Sequence, residues 1–207
     1  MLRLLIVILL VVVHAVPVAA APLSVRVVDA RGHPVGDAVV TLRPVGAAAR
    51  APVPSGSYSV SQQNLQFHPF VLVVPVGANV SFPNRDATKH HVYSFSPAKR
   101  FELKLFARDQ SRSVRFDQPG VVALGCNIHD AMTAFIVVTD SAWTARTNGQ
   151  GVAQFANTPN APAQLTVWHP YLRAPGNSLG KRIAAGQRSE GFVLNLRAPP
   201  MAMNNAY

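Results

Sequence analysis

The only cysteine of this 207-residue chain, Cys126, stands three residues before His129, and His129 stands three before Met132, in the run Cys126-Asn127-Ile128-His129-Asp130-Ala131-Met132. Thiolate, imidazole and thioether are soft or borderline donors. Together they suit a copper ion that cycles by one electron, because Cu(I) is content with few soft ligands while Cu(II) also wants nitrogen or oxygen. One more imidazole would complete the set, and the adjacent pair His90 and His91 lies upstream in a strand-like segment. The competing reading of Cys126 is a buried, inert thiol. His33, in a Gly/Pro turn, and His68, before Pro69, read as loop or surface residues, and His169, between Trp168 and Pro170, as structural. Met201 and Met203, near the end of the chain, read as part of a tail rather than as copper relays.

Such a loop needs a rigid frame, and the surrounding residues describe one made of strands. Val121-Val122-Ala123-Leu124 leads into the loop and Ala134-Phe135-Ile136-Val137-Val138 leads out of it, which predicts a hairpin with the donors at its tip. Val80-Ser81-Phe82, Val92-Tyr93-Ser94-Phe95 and Ser113-Val114-Arg115-Phe116 alternate with the two-residue period of half-buried strands. Gly77-Ala78-Asn79 and Asp117-Gln118-Pro119-Gly120 punctuate them as turns. No long amphipathic helix is visible. Many short strands with turn signals between them predict an all-β sandwich or barrel.

The flanks are also β-rich. Ser24 to Asp29 and Ala38 to Leu42 enclose a Gly/Pro turn and read as a strand pair. Asn148-Gly149-Gln150-Gly151 reads as a hairpin turn, Gln164 to Trp168 and Phe192 to Leu196 as strands, and the Gly- and charge-rich stretch from Arg173 to Glu190 as a surface excursion. At the N-terminus Arg3, the apolar run Leu4 to Val13 and the small residues Val18-Ala19-Ala20-Ala21 form a secretory signal, cut after Ala20 or Ala21. An uncleaved anchor is the alternative, but the apolar run is short for a membrane span. The expectation is an exported, periplasmic protein with no stable membrane insertion once the signal is removed. In an oxidising compartment a lone thiol invites oxidation unless it is paired or bound, which favours the metal reading of Cys126.

Residues Val76-Gly77 through Phe82, Asn84-Arg85-Asp86, His90, Phe116 to Gly120 and the Cys126–Met132 loop resemble the cupredoxin family of blue copper proteins. The chain as a whole is similar to periplasmic chains labelled methylamine utilization proteins. The flanks, Val27 to Leu42 and Thr147 to Trp168, resemble the two halves of a carboxypeptidase-regulatory-like, transthyretin-like sandwich. The resemblance implies a cupredoxin Greek-key β-sandwich over 60–140, inserted into a second, small Ig-like or transthyretin-like β-sandwich built from 22–45 plus 141–197. Two separate β-elements packed on the first core are the alternative arrangement. A signal peptide at 1–21, a linker at 46–59 and a disordered tail at 198–207 complete the division. The resemblance also implies one type 1 copper ion held by His90, Cys126 and His129 with Met132 as the long axial ligand. His90 is preferred to His91 because it follows Asn84 at the family's spacing and shares a face with Val92.

Nineteen basic residues against nine acidic give a formal charge of +10. This surplus predicts an acidic redox partner, with well-spread surface arginines as the plainer account. Nucleic acid is not expected, since no basic run with interleaved aromatics occurs. No Ser-His-Asp pattern, phosphate loop or zinc signature points to catalysis. The expected function is single-electron transfer between periplasmic partners, without enzymatic activity, the alternative being copper storage or delivery.

Overall fold

The computed structural model describes residues 21–46 and 52–198. Apart from Ala21 and Ala198, the expected signal peptide and tail lie outside the described residues, as do residues 47–51 of the expected linker. In chain order the strands are β1 (Ala21–Asp29), β2 (Val39–Pro44), β3 (Tyr58–Ser59), β4 (Ser61–Gln63), β5 (Gln66–His68), β6 (Val71–Pro75), β7 (Ala78–Pro83), β8 (His90–Ser96), β9 (Lys99–Phe106), β10 (Ser111–Phe116), β11 (Gly120–Cys126), β12 (Thr133–Thr139), β13 (Trp143–Arg146), β14 (Val152–Thr158), β15 (Ala163–Trp168), β16 (Ser178–Ile183) and β17 (Ser189–Leu194). The only helical turn among the described residues is a 3-10 turn at Pro175–Asn177. The fold is all-β.

A five-stranded sheet, ordered β6-β12-β11-β8-β9, faces a three-stranded sheet, β10-β7-β3. The chain passes between them after β6, β7, β9 and β10, the crossing pattern of a Greek-key sandwich. Alternation puts Val80 and Phe82 of β7, Val92 of β8, Phe116 of β10, Val122 and Leu124 of β11, and Ile136 of β12 into one apolar core. Polar or small neighbours such as Asn79, Ala123 and Thr133 point outward. This is the half-buried pattern that a two-residue period imposes.

A second pair of sheets, β14-β1-β17 and β13-β2-β15-β16, encloses a separate core of Leu23, Val25, Val27, Val40, Leu42, Phe155, Leu165, Val167 and Leu194. Its strands come from both ends of the chain. β1 pairs antiparallel with β14 and parallel with β17, and β2 pairs antiparallel with β13 and β15. Where the chain leaves the first sandwich, Ser141 Oγ donates to Leu42 O at 2.7 Å, and Arg43 pairs with Asp140.

The structure corrects four sequence expectations. β1 and β2 do not pair with each other, because the Gly32–Asp37 turn carries the chain from one sheet to the facing one. The turn at Asn148–Gly151 likewise crosses between sheets, from β13 to β14. Tyr58–Ser59, assigned to the linker, forms β3 alongside β7. The Arg173–Glu190 excursion contains β16, an edge strand paired with β15 along its whole length. Edge strands bury little, and in β16 only Ile183 is buried, so no hydrophobic alternation marks it.

Candidate metal centre

Three strand-borne features converge at one end of the first sandwich. Cys126 is the last inward position of β11, after Val122 and Leu124. His90 is the first inward position of β8, before Val92 and Ser94. β8 and β11 are antiparallel neighbours with Cys126 opposite Val92, so the pleat delivers both side chains to the same interior corner. β11 and β12 form a hairpin whose last pair is Gly125 and Thr133. Its tip is tightened by the Met132 N–H donating to His129 O at 2.9 Å, which folds His129 back over Cys126.

Cys126 Sγ lies 3.8 Å from His90 Nδ1 and 3.7 Å from His129 Nδ1. The two imidazole centroids are 5.1 Å apart. The three donor atoms all lie within 4.8 Å of one another, and no other group of three His, Cys, Asp or Glu side chains among the described residues comes so close. Cys126 and His90 are buried, while His129 is half-buried and keeps contact with the surface. Met132 is 1% exposed and belongs to the same core as Cys126. Of the adjacent histidines, His90 faces the thiol, whereas His91 points to the opposite face of the sheet, beside Glu102 and Tyr93. His33 and His68 are exposed. His169 is buried in the other half of the molecule, where its Nδ1 accepts from the Tyr171 N–H at 3.2 Å.

The donors have the spacing of a site for one ion. Metal–thiolate and metal–imidazole bonds of about 2.3 and 2.0–2.1 Å, opened to about 120°, put sulfur and nitrogen about 3.8 Å apart. The surroundings of the two imidazoles also suit a metal. His90 Nε2 donates to Asp86 Oδ2 at 2.7 Å, which fixes the proton on Nε2 and leaves the Nδ1 lone pair facing the sulfur. Asp86 is held in turn by the amides of Asn64 at 2.6 Å and Leu65 at 3.0 Å. Burial acts to raise the Asp86 carboxyl, but the Leu65 and Asn64 amides and His90 outweigh it and keep it below the usual carboxylate range. Burial is the main cause that holds the His129 imidazole below its usual 6.5, which favours the neutral ring a metal would need.

Asp86, which holds the His90 ring, is the residue that strand logic misses. It sits four residues before His90, and nothing in that spacing brings two side chains together in an extended chain. The contact exists because the 84–89 loop curls on Asn84, whose side-chain amide donates to Thr88 O and Phe106 O and whose Oδ1 accepts the Asp86 N–H.

No family model and no curated protein matches the chain. Several solved structures are similar to it in part. A Cu-containing nitrite reductase (NirK) from Thermus scotoductus SA-01 is 26% identical over 47% of this chain and 25% of its own, with a TM-score of 0.39. A reduced Cu(I) form of an amicyanin mutant is 25% identical over 48% of this chain and 98% of its own, with a TM-score of 0.38. A purple cupredoxin from Nitrosopumilus maritimus is 19% identical over 40% of this chain and 100% of its own, with a TM-score of 0.37. This chain therefore spans only a quarter of the length of the nitrite reductase.

Proposed function

We propose that this protein is an exported, mononuclear type 1 copper protein that carries single electrons, with His90, Cys126 and His129 as the close ligands and Met132 as the weak axial one. The observation that supports this most directly is the convergence of one thiol and two imidazole nitrogens at 3.7–3.8 Å, buried at the end of a rigid sandwich. Copper bound there supplies a one-electron couple. The protein's part is to hold the donors still in both oxidation states. His90 is locked by Asp86 and Cys126 by the β11 ladder, so little rearrangement accompanies the redox change.

His129 is the donor nearest solvent and the natural exit for the electron, with Ile128, 47% exposed, beside it as an apolar contact point. Among the described residues five carboxylates, Asp37, Asp109, Asp117, Asp140 and Glu190, pair with an Arg or Lys, and Asp29, Asp86 and Glu102 lie against histidines, so most of the basic side chains have no acidic partner. Two of these, Arg85 and Lys89, flank Asp86 at the metal end and suit an acidic redox partner. Export agrees with the signal-like N-terminus, and no helix among the described residues is long and apolar enough to cross a membrane. Storage or delivery would want an accessible site, and the burial of His90, Cys126 and Met132 argues against ready release.

The experiment is one spectrum. The Cu(II)-loaded protein should show intense visible absorption from thiolate-to-copper charge transfer and a reversible redox wave, and Cys126→Ser should lose both. A colourless Cu(II) complex with an unchanged Cys126→Ser variant would refute the assignment.

A further inference from the structure

A cleft lies away from the metal donors, where the two sandwiches meet. Val121 and Phe135, on the outward face of the β11–β12 hairpin, line one side, and Trp168, Tyr171, Asn177 and Arg197 line the other, around about 640 Å³. That is the size range of small-molecule pockets, which favour domain junctions. We propose that this cleft binds a small aromatic carboxylate.

The walls state the ligand chemistry. Trp168 is the last residue of β15 and points away from that sheet's own core, meeting Phe135 edge-on at 5.6 Å between centroids. Phe70, outside the lining, stacks on Tyr171 at 6.1 Å and meets Phe135 at 5.5 Å, so it braces two of the cleft's rings. A flat apolar ring is the shape such walls accept.

The one charged group in the cleft is a cation, Arg197, beside the Trp168 indole, the Tyr171 and Thr133 hydroxyls and the Asn177 amide. Among the described residues, neither the Trp168 indole N–H nor the Tyr171 hydroxyl has a hydrogen-bond partner, whereas the other tryptophan, Trp143, donates its indole N–H to Asn157 O. Burial raises the Tyr171 phenol above its usual value, with the Arg197 charge opposing, so it remains an O–H. The Arg197 guanidinium donates to Pro170 O at 2.6 Å but has no carboxylate partner among the described residues. No Asp or Glu lines the cleft. These donors and the Arg197 cation face solvent in the cleft, and an anionic acceptor suits them.

The test uses the whole purified protein and 2-naphthoate as probe, followed by calorimetry and by the indole N–H resonances. Saturable binding that moves the Trp168 signal and spares that of Trp143 is expected. Arg197→Gln should weaken it by at least about tenfold, as should replacing the acid with 2-naphthylmethanol. Phe135→Leu, which keeps an apolar strand residue, should weaken both probes alike. Melting temperatures identify any variant that fails to fold. Cys126→Ser should bind as wild type does, so the outcome is independent of the copper reading. The proposal is overturned by a Trp168 resonance that does not respond, by equal affinity for acid and alcohol, by an indifferent Arg197→Gln, or by preference for a maltooligosaccharide.

Discussion

Replacing Asp86 tests whether the metal end is held from behind. The His90 ring is completely buried, and its Nε2 has one partner, the Asp86 carboxylate at 2.7 Å. That oxygen also accepts from Leu65, and the other accepts from Asn64, so the carboxylate is fixed before any metal arrives. Removing a partner that orients a ligating histidine costs about 10–100-fold in metal affinity, or about 1.4–2.7 kcal/mol. Asp86→Ala should fall at the upper end, because it leaves a buried N–H unmatched, which by itself costs about 1–3 kcal/mol and weakens the metal-free protein too. Asp86→Asn should fall at the lower end. Its single oxygen can still accept from His90 and Leu65, while its NH2 faces the Asn64 N–H and the negative charge is lost. Competition against a chelator for Cu(II), alongside denaturant unfolding of the metal-free chain, separates the two variants. If both bind copper within about twofold of wild type, Asp86 does not orient His90 and the reasoning fails.

Further perturbations probe the rest of the molecule. At Gly151, φ is +70° and an added Cβ would sit 2.4 Å from Val27 O, in the backbone of β1. Gly151→Ala should therefore cost about 2–4 kcal/mol in urea unfolding, and a loss under about 0.5 kcal/mol would contradict the packing described. His169 is held below its usual 6.5 by burial, against a weaker opposing pull from Asp37. The unfolded chain takes up this proton near 6.5 and the fold resists it, so the stability it confers is complete above that pH and lost as pH falls through the folded value. Melting temperatures of His169→Asn should fall less steeply than those of wild type between about pH 7 and pH 5, and parallel curves would exclude the effect. Neutralising Arg85 and Lys89 should slow oxidation of the Cu(I) form by ferricyanide at low ionic strength and leave it unchanged in high salt. Equal rates at low salt would remove these residues from partner steering.

The strands around the metal were legible because each has one apolar and one polar face. β7, β8, β10 and the β11–β12 pair all show their inward residues as a period of two, and Cys126 and His90 fall on it. Pairing partners were not legible for β1 and β2. Their turn looks like a hairpin turn locally, while their actual partners lie beyond the whole first sandwich. β16 carried no pattern because an edge strand with a single buried residue imposes none. Asp86 carried none because its contact depends on how a loop curls around Asn84, which is tertiary information.

The split origin of the second pair of sheets sets an order of events. As the chain emerges, β1 and β2 have no partners until β13, β14 and β15 arrive roughly a hundred residues later, a closure that is entropically costly if attempted by an open coil. Once the intervening strands have condensed, the Leu42 carbonyl and Ser141 are neighbours, and the long span shrinks to a short clasp. The interior strands thus act as an assembly jig for the exterior ones. Until they do, Leu23, Val25 and Val27 lack the strands that cover them, and such exposed apolar surface favours aggregation.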